Sequence, residues 1–209
     1  MPNLRTLLIF AAAMLVATII YEGFITILRA VHKTLTKEKR ILLVDMDGVM
    51  NHWEKGTPIS TVLSEGYFRY RRPFWNLLDA LDDPRIRSRF NVIAVTNAPK
   101  RDINGNPINW CVDDKNYWLD MFTNIPAENR IFLDYEKNKA AQMREVIPHI
   151  KGTVYLDDYT VNLNGLKGIS WMTPVKVVND INDSHGSFEG IRIFNMDSTE
   201  SIVRALLAL

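Results

Sequence analysis

The chain has 209 residues, 47% of them apolar and 23% charged, which excludes a disordered chain and fits one sizeable core with room for a small insertion. Lysine and arginine number 25 against 24 acids, a net charge of +1, so no global field favours nucleic acid, although a local basic patch is still allowed. The one cysteine, Cys111, excludes a disulfide framework and points to a reducing compartment. Nothing around it suggests a cysteine nucleophile, and it reads as packing.

The N-terminus is the most apolar stretch. Between Arg5 and Arg29 the only charge is Glu22. About 20 residues suffice to span a bilayer, so residues 1–28 are expected to hold a transmembrane or hydrophobic helix, with Glu22 near the interface. No small-x-small cleavage site follows, which argues against a secretory signal. A helix packed on a partner is the alternative. Residues 29–40 form a basic linker carrying Arg29, Lys33, Lys37, Lys39 and Arg40. This excess over Arg5 predicts a membrane anchor with the downstream domain in the cytoplasm; a soluble cytoplasmic chain is the alternative.

Beyond residue 40 the periodicity changes. "RILLVDMD" reads as a buried strand running into acids, and the segment 49–72 after it is an insertion. "PFWNLLDALDD" spaces Phe74, Leu77, Leu78 and Leu81 on one face of a helix that starts at Pro73. "FNVIAVTNA" (90–98) is a second strand, with a turn at "GNP" (105–107) beyond it. "DDKNYWLDMF" follows as a helix with Tyr117, Trp118, Met121 and Phe122 as its apolar residues. "RIFLD" (130–134), helical "NKAAQMREVIPHI", "GTVYLDD" (152–158) and "IRIFNM" (191–196) complete the alternation. "DSTE" (197–200) opens a last helix as a capping box of Asp197 and Glu200. Strands alternating with helices predict an α/β fold, a central parallel sheet with helices on both faces. Trp75, Trp110, Trp118 and Trp171 are expected mostly in the core. His149 and His185 have no partner at metal-ligand spacing.

The strand ends line up chemically. Open α/β sheets build their sites outside the carboxyl ends of the strands. There the sequence delivers Asp45 and Asp47, Thr96 and Asn97, Asp134 with Lys137 and Lys139 beyond it, and Asp157 with Asp158. Any one of these could cap a helix or form a turn. Together, uncompensated carboxylates at short range would repel and raise one another's pKa. A hard divalent cation removes that conflict, and Mg²⁺ suits a few carboxylates plus a substrate phosphate.

"DMDGV", "VIAVTNA", a lysine at a helix start and "VYLDD" resemble, in order, the four motifs of the haloacid dehalogenase (HAD) superfamily of phosphotransferases, over about residues 40–180. The resemblance implies a Rossmann-like HAD domain at 41–209 with a short cap at about 49–72. It implies a Mg²⁺-dependent phosphatase that hydrolyses phosphate monoesters through an aspartyl-phosphate on Asp45. Asp47 would be the acid and base, Thr96 and Asn97 would hold the phosphate, and Lys137 or Lys139 would balance its charge. Asp45, the Asp47 carbonyl, Asp158 and Asp157 would hold the metal. "EGYFRYRRPFWNLLDAL", "KNYWLDMF" and "RIFLDYEK" are similar to segments of the 5'(3')-deoxyribonucleotidases, whose lysine spacing favours Lys137 and whose substrates are nucleotides. The cap is shorter than theirs, so a polynucleotide 3'-phosphatase acting on a nucleic-acid end, or a protein phosphatase, is the alternative. A non-enzymatic membrane-tethered scaffold is the reading outside the enzyme class. His52, Phe68 and Arg69 are further substrate candidates, with an aromatic–basic cluster of Tyr67, Phe68, Arg69, Arg71 and Arg72 offering a base-stacking surface.

Overall fold

The computed structural model describes residues 39–179 and 188–209. The apolar segment 1–28, linker residues up to 38 and His185 lie outside the described residues. Among the described residues no helix is long and apolar enough to cross a membrane.

Six strands make one sheet: β1 Arg40–Val44, β2 Phe90–Ala98, β3 Arg130–Asp134, β4 Thr153–Asp157, β5 Met172–Val178 and β6 Ile191–Phe194. Their spatial order is β3-β2-β1-β4-β5-β6, and every pairing is parallel. The helices are α1 Ile59–Val62, α2 Trp75–Asp82, α3 Pro84–Arg89, α4 Trp110–Phe122, α5 Lys139–Val146, α6 Thr160–Gly165 and α7 Thr199–Leu207.

Side chains alternate across a strand, and here both faces are covered. Leu42, Val44, Val154 and Leu156 pack with α2, α4 and α7 on one side. Leu43 and Tyr155 pack with Ala140 and Met143 of α5 and Leu163 of α6 on the other. The strand order reverses direction between β1 and β4, where Asp45 N–H donates to Leu156 O at 2.9 Å. Crevices open at such reversal points, and the acids sit at this one.

Several expectations need correction. β5 is a full strand although "MTPVKVV" contains Pro174. Proline is tolerated because residues 172–174 pair only with β4; pairing with β6 begins at Val175. The cap of α7 is Ser198, which accepts from Ser201 N–H, while Glu200 pairs with Arg85 at 2.7 Å instead of closing a box with Asp197. In α4 the buried residues are Cys111, Asp114, Lys115, Trp118 and Leu119, whereas Tyr117 and Met121 face solvent. Trp118 is fully buried as expected, but Trp75 is 54% exposed.

Residues 53–72 fold as a small insertion around Val62, Phe68, Ile108 and Cys111. Helix α4 holds it along its length. Trp110 Nε1 donates to Leu63 O (2.9 Å), Asp114 Oδ2 accepts from Gly66 N–H (2.7 Å), and Trp118 Nε1 donates to Arg71 O (2.7 Å).

Candidate active site

β1 ends at Val44, and the chain turns at once. Met46 O accepts from Met50 N–H (2.9 Å) and Asn51 N–H (3.0 Å). The turn needs Gly48 at φ +78, a backbone that side-chain-bearing residues seldom adopt. Asp45 and Asp47 both line a cavity of about 280 Å³, together with Thr96, Asn97, Lys139 and Asp158.

Lys139 lies in the first turn of α5, where the helix dipole disfavours a cation. Carboxylates compensate: Nζ lies 2.7 Å from Asp45 and 3.1 Å from Asp157. Burial works against its charge, but Asp157 and Asp45 outweigh it and hold its pKa above the ordinary lysine value. Lys137, the lysine that nucleotidase spacing favours, is not in the cavity. Its side chain is 70% exposed and reaches Asp134 at 3.7 Å. It precedes the N-cap Asn138, so the chain enters α5 with Lys137 outside and Lys139 facing the sheet.

Asp45, Asp157 and Asp158 each present an oxygen within 4.8 Å of the others. Burial first, then neighbouring carboxylates against the pull of Lys139, push Asp45 up to about 6. Burial, with Asp157 and Asp45 adding to it, pushes Asp158 up to about 8. Three converging hard-oxygen donors, two of them resisting ionisation, fit a divalent cation of the Mg²⁺ kind. The three are not equivalent. Asp157 Oδ2 accepts from Lys139, from Asn162 Nδ2 (2.9 Å) and from the Tyr155 hydroxyl, and its Oδ1 accepts from Tyr159 N–H (2.6 Å). Asp157 thus also anchors Lys139, while its Oδ1 accepts from one donor alone. On Asp45, both Met46 N–H (2.8 Å) and Lys139 fall on Oδ1, leaving Oδ2 to the cavity. Asn179 Nδ2 donates to Asp158 Oδ2 (3.1 Å) and to Gly48 O (2.6 Å). Lys176 Nζ donates to Asp158 O and Thr160 Oγ1, both at 2.8 Å.

Gly48 also passes close to Asp158, where an added Cβ would lie 2.2 Å from Oδ2. Gly48→Ala should therefore lower stability by more than the roughly 1–2 kcal/mol of a left-handed backbone alone, and should erase any Mg²⁺-induced rise in melting temperature. Thermal unfolding with and without Mg²⁺ reads both effects. A variant that melts and responds like wild type would refute the close packing of the turn against Asp158.

The remaining candidates divide. Phe68 lines the cavity with Trp53, Val62, Pro99, Tyr135 and Tyr159. His52 does not; its ring stacks on Phe74 with centroids 3.8 Å apart. Arg69 lies 3.1 Å from Asp114 and 4.7 Å above the Tyr117 ring, away from the cavity. Arg71 donates to the Tyr67 hydroxyl at 2.7 Å. The expected stacking surface of Tyr67, Arg69 and Arg71 is thus spent on building the insertion. Asn97 Oδ1 is buried without a hydrogen-bond partner at the cavity.

Five further residues around the cavity, Lys115, Asn179, Lys176, Tyr155 and Asn162, do not stand out in the sequence as site residues. Lys115 had a signal, because positions 111, 115, 118 and 119 share one helix face. A lysine on that face is buried unless the pattern is broken.

No known family matches the chain by its sequence pattern, and no curated protein matches it in sequence. Solved structures do match in three dimensions. A D,D-heptose 1,7-bisphosphate phosphatase from Burkholderia thailandensis superposes with a TM-score of 0.51 at 13% identity, over 82% of this chain and 100% of that one. An L-2-haloacid dehalogenase superposes with a TM-score of 0.51 at 10% identity, again over 82% and 100%. Identities this low establish the fold alone: a Rossmann-like α/β domain with the architecture that these two proteins share.

Proposed function

We propose that the protein is a Mg²⁺-dependent phosphatase that hydrolyses phosphate monoesters through Asp45. The observation that carries this reading is the convergence of Asp45, Asp47, Thr96, Lys139 and Asp158 on one cavity at the carboxyl ends of β1, β2 and β4. Mg²⁺, held by Asp45, the Asp47 carbonyl and Asp158, would neutralise phosphate charge. A carboxylate oxygen of Asp45 attacks phosphorus as the bond to the leaving oxygen breaks, and Asp47 gives that oxygen its proton. Water then attacks the aspartyl-phosphate, Asp47 takes up its proton, and phosphate leaves Asp45. Thr96 and Asn97 hold the phosphoryl oxygens, and Lys139 balances their charge. A non-enzymatic scaffold has no use for so many acids and lysines buried at one point.

The preferred substrate is a nucleoside monophosphate. Aromatic walls from Trp53, Phe68, Tyr135 and Tyr159 suit a flat base, and among the described residues lining the cavity Lys139 is the one cation. A polynucleotide end would bring further phosphates, and among the described lining residues no second cation meets them. A panel of phosphate esters, assayed with and without Mg²⁺, tests this. Nucleoside monophosphates should be turned over fastest, and bisphosphates or oligonucleotide ends at least about tenfold more slowly in kcat/KM, about 1.4 kcal/mol. The opposite ranking would discard the nucleotide reading.

We also propose that residues 6–28 anchor the chain in a membrane, with the catalytic domain on the cytoplasmic side. A spanning helix should survive carbonate and high-salt washing of membranes, whereas attachment through the basic linker alone would be screened away. Release of the full-length chain by salt would contradict the anchor.

A further inference from the structure

Lys115 has no part in the scheme above. It sits in the middle of α4, and its side chain is fully buried. A buried ammonium is costly unless it is paired. Its Nζ makes a short contact with Asp47 Oδ2, donates to Thr96 Oγ1 at 2.8 Å, and lies 4.3 Å above the Phe68 ring. One cation behind the cavity thus ties together three residues of the cavity wall. Lysine has no acceptor, so in its contact with Lys115 Thr96 must accept, which leaves its own O–H to donate elsewhere. The contact on Asp47 leaves Oδ1 turned away from Lys115, where Asn51 Nδ2 reaches it only at 3.4 Å.

Lys139 is shared between Asp45 and Asp157, and Lys176 binds the Asp158 carbonyl. Neither reaches Asp47. An unbalanced Asp47 carboxylate beside the phosphate site would repel an incoming phosphoryl dianion in a low-dielectric pocket.

We propose that Lys115 is a positioning residue of the phosphate site. It balances Asp47 while that group is ionised, between its two proton transfers, and fixes the Asp47 carboxyl and the Thr96 hydroxyl for a phosphoryl group, without touching substrate. The proposal rests on the phosphatase reading of this cavity.

The test is a double-mutant cycle on binding of inorganic phosphate to the full-length protein with Mg²⁺, followed by calorimetry. Lys115→Met keeps the length of the side chain and should weaken phosphate binding at least ~10-fold, about 1.4 kcal/mol. In the Asp47→Asn background, where there is no carboxylate to balance, the same change should cost less than ~3-fold, a difference well under one factor of ten. A merely structural lysine would lower the melting temperature without this dependence on Asp47. Equal losses in both backgrounds, or no loss in either, would overturn the proposal. Should Lys115→Met fail to fold, Lys115→Gln is read by the same criterion, and failure of both marks Lys115 as a folding residue and ends the proposal. Wild-type protein that binds no phosphate with Mg²⁺ would instead count against the phosphatase reading, and the role of Lys115 would fall with it.

Discussion

Asp45→Asn is expected to fold like wild type and to release no measurable phosphate, a loss of at least about a thousandfold, or roughly 4 kcal/mol of barrier. An amide has nearly the volume of the carboxylate but is a poor nucleophile, so the loss falls on bond formation to phosphorus. The fold should not suffer. Burial is the largest influence on Asp45 and pushes its pKa up to about 6, so at neutral pH the ionised group is held at a cost. Lys139 keeps Asp157 at 3.1 Å as its second partner. The melting temperature of the variant at neutral pH should therefore match or exceed that of wild type. Phosphate release on a monoester, with circular dichroism melting on the same samples, checks both halves. Retention of more than about a tenth of the activity, a loss under about 1.4 kcal/mol, would remove Asp45 from the role of nucleophile.

Removal of metal should be as severe. EDTA should silence the protein, Mg²⁺ should restore it, and Ca²⁺ should restore it poorly, since it prefers more ligands in a looser geometry. The carboxylate pKa values give this prediction a pH signature. Both acids start from an ordinary value of 3.8, and burial raises Asp45 to about 6 and Asp158 to about 8. Between about pH 4 and 8 the metal-free folded protein therefore holds protons that the unfolded chain has already lost. Its stability falls as pH rises through that window, because deprotonation is easier in the unfolded chain. A cation displaces those protons, so Mg²⁺ affinity should climb with pH up to about 8. The rise in melting temperature on adding Mg²⁺ should be small near pH 5 and large near pH 8. An equal rise at both would mean that Asp45 and Asp158 do not bind the metal. Activity unaffected by EDTA would do the same.

Much of the fold and part of the candidate site can be read from sequence, and the boundary between the two has physical causes. "ILLV" running into Asp45 and Asp47 is legible because a buried strand has no structural use for two acids at its end. Thr96 and Asp158 follow from the same logic. β5 is not legible, because Pro174 speaks against a central strand until the stagger of β6 is known. The choice between Lys137 and Lys139 turns on where α5 begins. Two residues shift the side chain from solvent to the sheet, and boundaries are the least readable feature of a helix. Lys115 and Asp114 look like solvent-facing charges in "DDKNYW", so the apolar face of α4 is easily drawn through Tyr117 and Met121. Their partners, Asp47, Thr96 and Gly66, come from distant parts of the chain and appear only when the sheet and insertion are assembled. Asn179 is similar: an unremarkable polar residue past a strand, it bridges Asp158 to Gly48, which lies 131 positions before it in sequence.

A covalent phosphoryl intermediate on Asp45 should be caught by acid-quenched trapping. Wild-type protein is mixed with Mg²⁺ and a ³²P-labelled nucleoside monophosphate, quenched in acid within one turnover, and digested. The label should appear on the peptide that contains Asp45, disappear on treatment with hydroxylamine as an acyl phosphate does, and be absent from Asp45→Asn. Rapid release of labelled phosphate with no label on that peptide at any quench time would rule out a covalent intermediate on Asp45.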